Sequence, residues 1–421
     1  MWAHRQKLLS WTSLFLLAFD VSSAEVQYKR YKTPSSEELK GMVTHGVEFL
    51  AKAQNENGSF GLGKEVGVTA ATLHALLVSD PSFRSPENAV SRKALAFLLK
   101  NVQPEGNISD PDGGYDNYKT SYSLMALAEF KAEEYAALVK ASAAKKLIPD
   151  EKSSKFGRET VMQNAFKWMA KQQASEESGF EKEKDPGYGG QGYGGVPIPD
   201  LSNSQFSMDA FYASGIRRGH PYYNRMEIFL NRTQNFPKVN DLTDKTKFPQ
   251  MKNFQVQSDG GFGYAPGISK FEVDVNKEGK KFARSYASMT AAGIKSLLQI
   301  GVSKDDSRVQ AALGWFQRNY TLEINYGLEL PDKPEKGRQA LYYFYWTYAR
   351  AMSLLGEPTL KLADGTTINW AGELAGKLKS LQKADGSWKN EQSRWHEADP
   401  YLVTSYCLVA LQHCRKSLGK K

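Results

Sequence analysis

Apolar and polar positions along the chain follow one arrangement six times: a helix ending near a Gln, a Gly-rich turn, then a strongly apolar helix. In the first copy, apolar Val47 and Leu50 share one helical stripe, while Glu48 and Lys52 lie beside it, which predicts an amphipathic helix. Residues 69–78 of the same copy are apolar on almost every face, which is typical of a helix buried on all sides. Self-similarity at a period of tens of residues predicts a repeat architecture.

The six copies predict an all-α fold. Outer amphipathic helices around inner apolar helices give an (α/α)6 toroid of six helix pairs, because no single pair can bury its apolar face alone. Turns such as Asp385–Gly386 favour a positive φ, so we expect Gly386 to adopt a conformation that a Cβ disfavours. The Gly-rich turns lie at residues 58–61, 112–115, 187–195, 259–264, 326–327 and 385–388.

Two segments interrupt this regularity. Residues 131–159 are rich in Ala, Lys and Glu and predict an extra helix. Residues 235–282 flank the fourth turn and predict long loops, which often carry ligand contacts on one rim. We therefore predict a single toroid domain over residues 25–421 with these two insertions.

The first residues predict an export signal. A basic start precedes the apolar run at residues 8–19, and the small residues 22–24 suit cleavage before Glu25. We expect residues 1–24 to be a signal peptide and the mature protein to be secreted or periplasmic. No later stretch has eighteen uncharged apolar residues, so we expect the mature chain to be soluble.

Net charge and cysteine content exclude few functions. The net charge is +9, but the basic residues are scattered and no nucleic-acid-binding motif occurs, which argues against a nucleic-acid partner. If one helix continues through Cys407 and Cys414, their separation of about 10 Å prevents a disulfide. If that helix ends near Gln412, a bridge is possible. The oligomeric state is not predicted.

The stretch Gln382 to Trp388, with sequence QKADGSW, resembles the repeats of squalene and hopene cyclases and of protein prenyltransferase β subunits. The resemblance covers essentially the whole mature chain. It implies a ring of six inner and six outer helices around a central cavity, which in those enzymes holds an isoprenoid.

The catalytic motifs that the resemblance would imply are absent. No Asp-x-Asp-Asp acid cluster occurs, and the nearest fragments begin at Asp110 and Asp274. Ala340, Tyr342 and Val403 stand where the prenyltransferase-like pattern has its zinc ligands, and these side chains cannot form a tetrahedral zinc site. We therefore expect no bound zinc, no other cofactor and no recognisable catalytic site.

Other toroid families use different reactive groups. The Cys-Gly-Glu-Gln segment of complement-like thioester domains is absent. Glycosidases use paired carboxylates, for which Asp209, Asp399 and Glu397 are the candidates. Single acids at helix starts more often cap the helix.

Aromatic residues near the starts of the inner helices are the candidate ligand contacts. Such residues can hold an apolar chain or stabilise a cation, or they can fill the ring as ordinary core. The candidate set is Tyr122, Tyr286, Tyr342, Tyr345, Trp346 and Tyr401.

The sequence leaves three functions open. The first is a toroid that binds an apolar, glycan or peptide ligand in its central cavity, with any catalysis unresolved. The second is a terpenoid cyclase or prenyltransferase with a rearranged active site. The third is a structural envelope scaffold. The missing motifs favour the first.

Overall fold

The computed structural model describes residues 28–62, 65–111, 113–148, 156–194, 198–216, 218–268 and 274–419. The described residues form thirteen α-helices and two short antiparallel strand pairs, β1 (Asp274–Val275) with β2 (Lys281–Phe282) and β3 (Leu360–Lys361) with β4 (Thr367–Ile368). The helices are α1 Ser36–Lys52, α2 Glu65–Ser79, α3 Ala89–Lys100, α4 Asp116–Ala128, α5 Ala132–Ala144, α6 Arg158–Lys171, α7 Leu201–Ala213, α8 Pro221–Thr233, α9 Ala287–Ile300, α10 Ser307–Asn319, α11 Leu341–Leu355, α12 Trp370–Leu381 and α13 Pro400–Leu418.

Six helices form a closed inner ring. In order, α2, α4, α7, α9, α11 and α13 each pack against the next, and α13 packs back against α2. The other repeat helices, α1, α3, α6, α8, α10 and α12, lie outside this ring. The predicted all-α toroid is therefore confirmed.

The Gln of the repeat joins one helix pair to the next. The Gln54 side-chain amide donates to the carbonyl of Gly58 in its own turn, at 3.0 Å, and to the carbonyl of Val90 in the first turn of α3, at 2.9 Å. These bonds fix the turn against the next outer helix and satisfy a carbonyl on each side. The same pair of bonds is made by Gln173, Gln234 and Gln382.

The last of these joints closes the ring. Gln382 donates to the carbonyl of Met42 in α1 at 2.9 Å. Gly386 adopts a φ of +87°, as predicted, and a Cβ there would lie 2.4 Å from the His45 carbonyl oxygen. The glycine is therefore required both by its φ and by the close approach of α1.

A second contact fixes each turn to its own inner helix. The backbone N–H of Phe60, just after the first turn, donates to the Thr69 hydroxyl of α2 at 2.8 Å. Hydroxyls in the first turns of four other inner helices accept in the same way. They belong to Thr120, Ser204, Thr290 and Thr404.

Both interruptions of the repeat pattern contain structure of their own. Helix α5 lies in the segment at 131–159 and packs against α3 and α6. The segment at 235–282 contains the β1–β2 pair and contributes most of a small separate core around Phe248 and Phe254. Residues 1–24, predicted to be a signal peptide, lie outside the described residues.

Helix α13 runs through both cysteines. Cys407 and Cys414 are buried and free. Among the described residues, no helix is both long enough and apolar enough to cross a membrane.

Candidate functional site

A cavity of about 1070 Å³ occupies the end of the ring at which the inner helices begin. We call this end the mouth end. The opposite end of the ring, where the inner helices finish, is called the closed end. The walls of the cavity come from the first turns of the inner helices and from the loops that precede them. Apolar side chains at this level include Phe206, Met289 and Leu402.

Tyrosines dominate the cavity wall. On α4, Tyr118 and Tyr122 are one helical turn apart, so both face the interior. Phe206 on α7 contacts both rings edge to face, with centroids 4.9 Å away in each case. The lining tyrosines are Tyr115, Tyr118, Tyr122, Tyr193, Tyr264, Tyr286, Tyr343 and Tyr406.

Of the six predicted ligand contacts, Tyr122 and Tyr286 line this cavity. Tyr342 donates to the Lys389 carbonyl at 3.3 Å, and the hydroxyl of the fully buried Tyr345 donates to the Leu322 carbonyl. On α11 it is Tyr343 that lines the cavity. A ligand-binding role stays a prediction for the whole set.

The other two predicted contacts lie outside the lining. Trp346 is 1% exposed and stacks on Phe206, with centroids 5.0 Å apart, beneath the cavity wall. Tyr401 stacks on Phe49 of α1, with centroids 5.6 Å apart.

Carboxylates at the mouth end act as helix caps. One Asp399 oxygen accepts from the backbone N–H groups of Tyr401 and Leu402 at the start of α13. Asp200 accepts from the N–H of Asn203 at the start of α7, at 2.8 Å. These side chains satisfy N–H groups that have no partner within the helix.

Glu397 caps α11 from the loop before α13. One of its oxygens accepts from the Tyr343 N–H at 2.7 Å, and the other accepts from the Asn390 side chain at 2.5 Å. Burial nevertheless raises the pKa of Glu397 to about 7, because desolvation outweighs these donors. Glu397 also lines the cavity, so an acid with a pKa near neutrality lies in the wall.

The remaining inner helices are also capped or neutralised at the mouth. Asp110 accepts from the Val66 N–H of α2 at 3.3 Å and pairs with Lys119 at 2.7 Å. Asp116 lies in the first turn of α4, and Asn325 accepts from the first turn of α9. Each helix start carries about half a positive charge, and the acids offset it. Among the described residues, these acids therefore weaken the positive field that an anionic ligand would meet at the mouth.

The closed end holds a buried ionic cluster of Asp209, Lys295 and Arg350. Lys295 contacts Asp209 at 2.5 Å and Arg350 contacts it at 2.9 Å. Burial alone would raise the pKa of Asp209, but Arg350 and Lys295 hold it below its ordinary value. Burial lowers the pKa of Lys295 to about 7, although Asp209 opposes the shift. Asp209 thus belongs to an internal ion cluster and does not line the cavity.

Trp346 separates the cluster from the cavity. Lys295 lies 5.0 Å and Arg350 lies 4.9 Å from its ring centroid. Both cations are therefore in cation–π contact with a ring that also contacts the aromatic rings of Tyr122, Phe206, Tyr343 and Tyr406.

Backbone strain concentrates around the cavity. Tyr115, Ala340, Trp395 and His396 have φ between +51° and +66°, and all four line the cavity. Left-handed conformations in non-glycine residues cost about 1–3 kcal/mol each and cluster at ligand sites. The Tyr115 and His396 rings meet edge to face, with centroids 5.7 Å apart, and join two of these strained loops.

Three residues stand at the positions where the prenyltransferase-like pattern has its zinc ligands. Ala340 lines the cavity, Tyr342 bonds to a backbone carbonyl and Val403 is buried. Over the part of the chain that the structure describes, no group of three or more His, Cys, Asp or Glu side chains could hold a metal ion.

No protein-family model and no curated protein matches this chain. Among solved structures, it is similar to type II terpene cyclase MstE from Scytonema in the apo form, with 14% identity, a TM-score of 0.46, and 91% of this chain and 99% of that chain covered. It is also similar to an unsaturated glucuronyl hydrolase specific for heparin, with 12% identity, a TM-score of 0.46, and coverage of 92% and 99%. At this level, the likeness supports no inference about ligand or chemistry.

Proposed function

We propose that the cavity binds an uncharged, mainly apolar ligand. The observation that supports this most directly is that several polar side chains of the wall are already paired with one another or with other protein groups. Ser202 lies within hydrogen-bonding distance of Tyr118 and Tyr343, and the Tyr193 and Tyr264 hydroxyls lie 3.2 Å apart. A ligand that needs many hydrogen bonds would have to displace these pairs.

The acids and the lysine of the wall are similarly engaged. Asp399 and Glu397 cap inner helices, while Lys119 pairs with Asp110. These contacts argue against a diphosphate-bearing ligand, because Lys119, the buried lysine that the described residues place in the wall, already has a carboxylate partner. They argue equally against a glycan, whose hydroxyls would need free polar partners.

The size of the cavity suits a substantial molecule. Ligand sites commonly have volumes of about 300–1,000 Å³, and this cavity lies at the upper end of that range. Its apolar and aromatic surfaces would be covered by an apolar body, which is favourable by roughly 25 cal/mol per Å² removed from water.

Displacement of N-phenyl-1-naphthylamine, a neutral apolar fluorophore, tests the proposal. We expect the probe to bind with about 1:1 stoichiometry and to be displaced by long-chain apolar molecules, but not by oligosaccharides or peptides. Native mass spectrometry of the purified protein would identify any ligand that copurifies.

A matched pair of variants places the binding in the cavity. Leu402→Trp adds a large side chain to the wall and should abolish probe binding. Leu381→Trp makes the same change on the outer helix α12 and should leave it intact. Equal binding by both variants, or none by the wild type, would contradict the proposal and favour the scaffold function.

A second candidate is acid catalysis in a rearranged cyclase site. It rests on Glu397, which lines the cavity and has a pKa near 7. The reaction would transfer the Glu397 proton to an alkene carbon of the bound ligand. The resulting carbocation would then return a neighbouring proton to the Glu397 carboxylate as a new double bond forms. If this holds, Glu397→Gln should abolish product formation while probe binding persists. Conversion of an added isoprenoid that Glu397→Gln does not slow would exclude this role.

We also propose export, from the pattern of residues 1–24. N-terminal sequencing of protein purified from the extracytoplasmic fraction should begin at Glu25. A chain that retains Met1 in the cytoplasm would contradict it.

A further inference from the structure

The hydroxyls that accept from the turns place five of the inner helices in one common register. The residue two positions before that hydroxyl lines the cavity on all five helices. On α2 this residue is Gly67, which has no side chain. The wall therefore has backbone at this point of α2, whereas the other four helices place there the side chains of Tyr118, Ser202, Ser288 and Leu402.

The cavity reaches beyond the inner ring next to Gly67. Phe97 and Asn101 line it, although they belong to the outer helix α3 and to the residue that ends it. Over the part of the chain that the structure describes, no other outer helix contributes to the wall. The wall is therefore open between the first turns of α2 and α4. We call the space there the side branch, and its walls are Gly67, Val68, Phe97, Asn101 and Lys119.

The side branch is mainly apolar, although Lys119 belongs to its wall. The Lys119 ammonium is bound to Asp110 at 2.7 Å and donates to the Gly113 carbonyl at 3.1 Å. Its stem faces α2, because a Cβ added at Gly67 would lie 3.5 Å from the Lys119 Cγ. Methylenes of the stem, together with Val68 and the Phe97 ring, thus form an apolar surface. Such a surface suits a hydrocarbon chain, which needs no hydrogen-bond partner.

We infer that the side branch receives one end of the bound ligand, and that the ligand therefore carries a flexible hydrocarbon chain. The inference rests on the proposed function, since it names a second region of the same binding site. Gly67 is then a specificity-determining residue. A side chain at this position fills the branch and shortens the chain that the cavity accepts.

Two neutral probes that differ only in chain length test the inference. The affinities of 1-decanol and 1-octadecanol can both be measured by displacement of N-phenyl-1-naphthylamine. The wild-type protein should bind the longer alcohol more tightly, because each further methylene buried strengthens binding by about four-fold.

Gly67→Leu is the decisive variant. Among the described residues, the Lys119 stem is what lies within 4 Å of the added Cβ, and 3.5 Å is an ordinary contact distance, so the variant should fold. Each methylene that the leucine keeps out of the branch weakens binding by about four-fold. The ratio of the affinities for 1-octadecanol and 1-decanol should therefore fall by about ten-fold or more.

A control variant and a second measurement separate this effect from general damage. Gly41→Leu makes the same substitution on α1, where the described residues place nothing within 4 Å of the added Cβ, and it should keep the wild-type ratio. A long-chain alcohol with a diazirine at the end of its chain should label Phe97 or Asn101 in the wild type on illumination. Mass spectrometry of the peptides should find no such adduct in Gly67→Leu.

The outcomes distinguish the two proposals. An unchanged ratio in Gly67→Leu, or an equal loss of affinity for both alcohols, overturns this inference and leaves the proposed function standing. Labelling confined to the inner helices of the wild type also overturns it. Failure of both alcohols to displace the fluorophore from the wild type overturns both proposals.

Discussion

The mouth end and the closed end of the ring are built from the same inner helices but differ in the partners of their charged side chains. At the mouth, acids such as Asp399 and Glu397 cap helix starts around an open cavity. At the closed end, Asp209, Lys295 and Arg350 pair with one another in the packed interior. We therefore expect substitutions in the packed closed end to destabilise the fold more than matched substitutions at the mouth, where the strained loops and the cavity lie.

Trp346→Ala should give the largest loss of stability. Trp346 is 1% exposed and contacts both cations of the cluster, so truncation leaves a cavity and removes two cation–π contacts. We expect a loss near the upper end of about 3–5 kcal/mol in chemical denaturation. A small loss of unfolding free energy together with weaker probe binding would instead place Trp346 in the ligand site. That result would contradict the proposed difference between the two ends.

Asp209→Asn should cost somewhat less, about 3 kcal/mol, because it leaves Lys295 and Arg350 buried without their carboxylate. Asp399→Asn is the matched change at the mouth, and Asn caps a helix as well as Asp does. We expect it to change the free energy of unfolding by less than about 0.5 kcal/mol. Equal losses in the two variants would contradict the proposed division between the ends.

The two ends should also respond to pH with opposite sign. Glu397 has its pKa raised from 4.5 to about 7, so the folded state holds the extra proton and stability should fall as pH rises from about 4.5 to 7. Lys295 has its pKa lowered from 10.5 to about 7, so the unfolded state holds the extra proton and stability should rise between about pH 7 and 10.5. Each slope is at most about 1.4 kcal/mol per pH unit.

Denaturation curves across this range check the assignment. Glu397→Gln should flatten the acidic limb alone, and Lys295→Met should flatten the basic limb alone. If either variant altered both limbs, the two groups would be coupled across the ring rather than confined to separate ends.

Gly386→Ala should have a smaller effect than Trp346→Ala or Asp209→Asn, about 1–2 kcal/mol, because a Cβ at φ +87° also meets the His45 carbonyl oxygen. Gly365→Ala is the control: its φ is +86°, but nothing lies within 4 Å of the added Cβ. The difference in melting temperature between the variants isolates the contact with α1. Equal melting temperatures would mean that α1 can move away from the added Cβ at little cost in stability.

The ring and its turns could be predicted from the sequence because the same pattern of helix, Gly-rich turn and apolar helix occurs six times. The conformation of Gly386 followed from one Asp–Gly pair. The Gln joints could not be derived, because their acceptors are backbone carbonyls in other repeats and carry no sequence signal. Thr69 and its equivalents give a weak signal, a hydroxyl early in each of five inner helices.

The cavity wall was harder to predict than the ring. Helix α11 is apolar on nearly every face, so its periodicity does not show that Tyr343, rather than Tyr342 or Tyr345, lines the cavity. On α4, Lys119 and several smaller side chains separate the aromatic residues, so the helix faces differ more clearly in sequence. Tyr122 could therefore be predicted as a residue of the cavity wall. The contacts that join Tyr118, Ser202 and Tyr343 require three helices to be placed together, which no local pattern supplies.

The bond from Gln382 to the Met42 carbonyl spans 340 residues of chain, whereas the bond from Gln54 to Val90 spans 36. Closing a longer loop costs more conformational entropy before any contact rewards it. The seam between the last and first repeats should therefore form late in folding, after a curved stack of helix pairs has assembled. Until it forms, the stack has two free apolar faces, and a second chain could occupy them as readily as its own. Gln382, which closes the ring within one chain, would then also disfavour domain-swapped assembly.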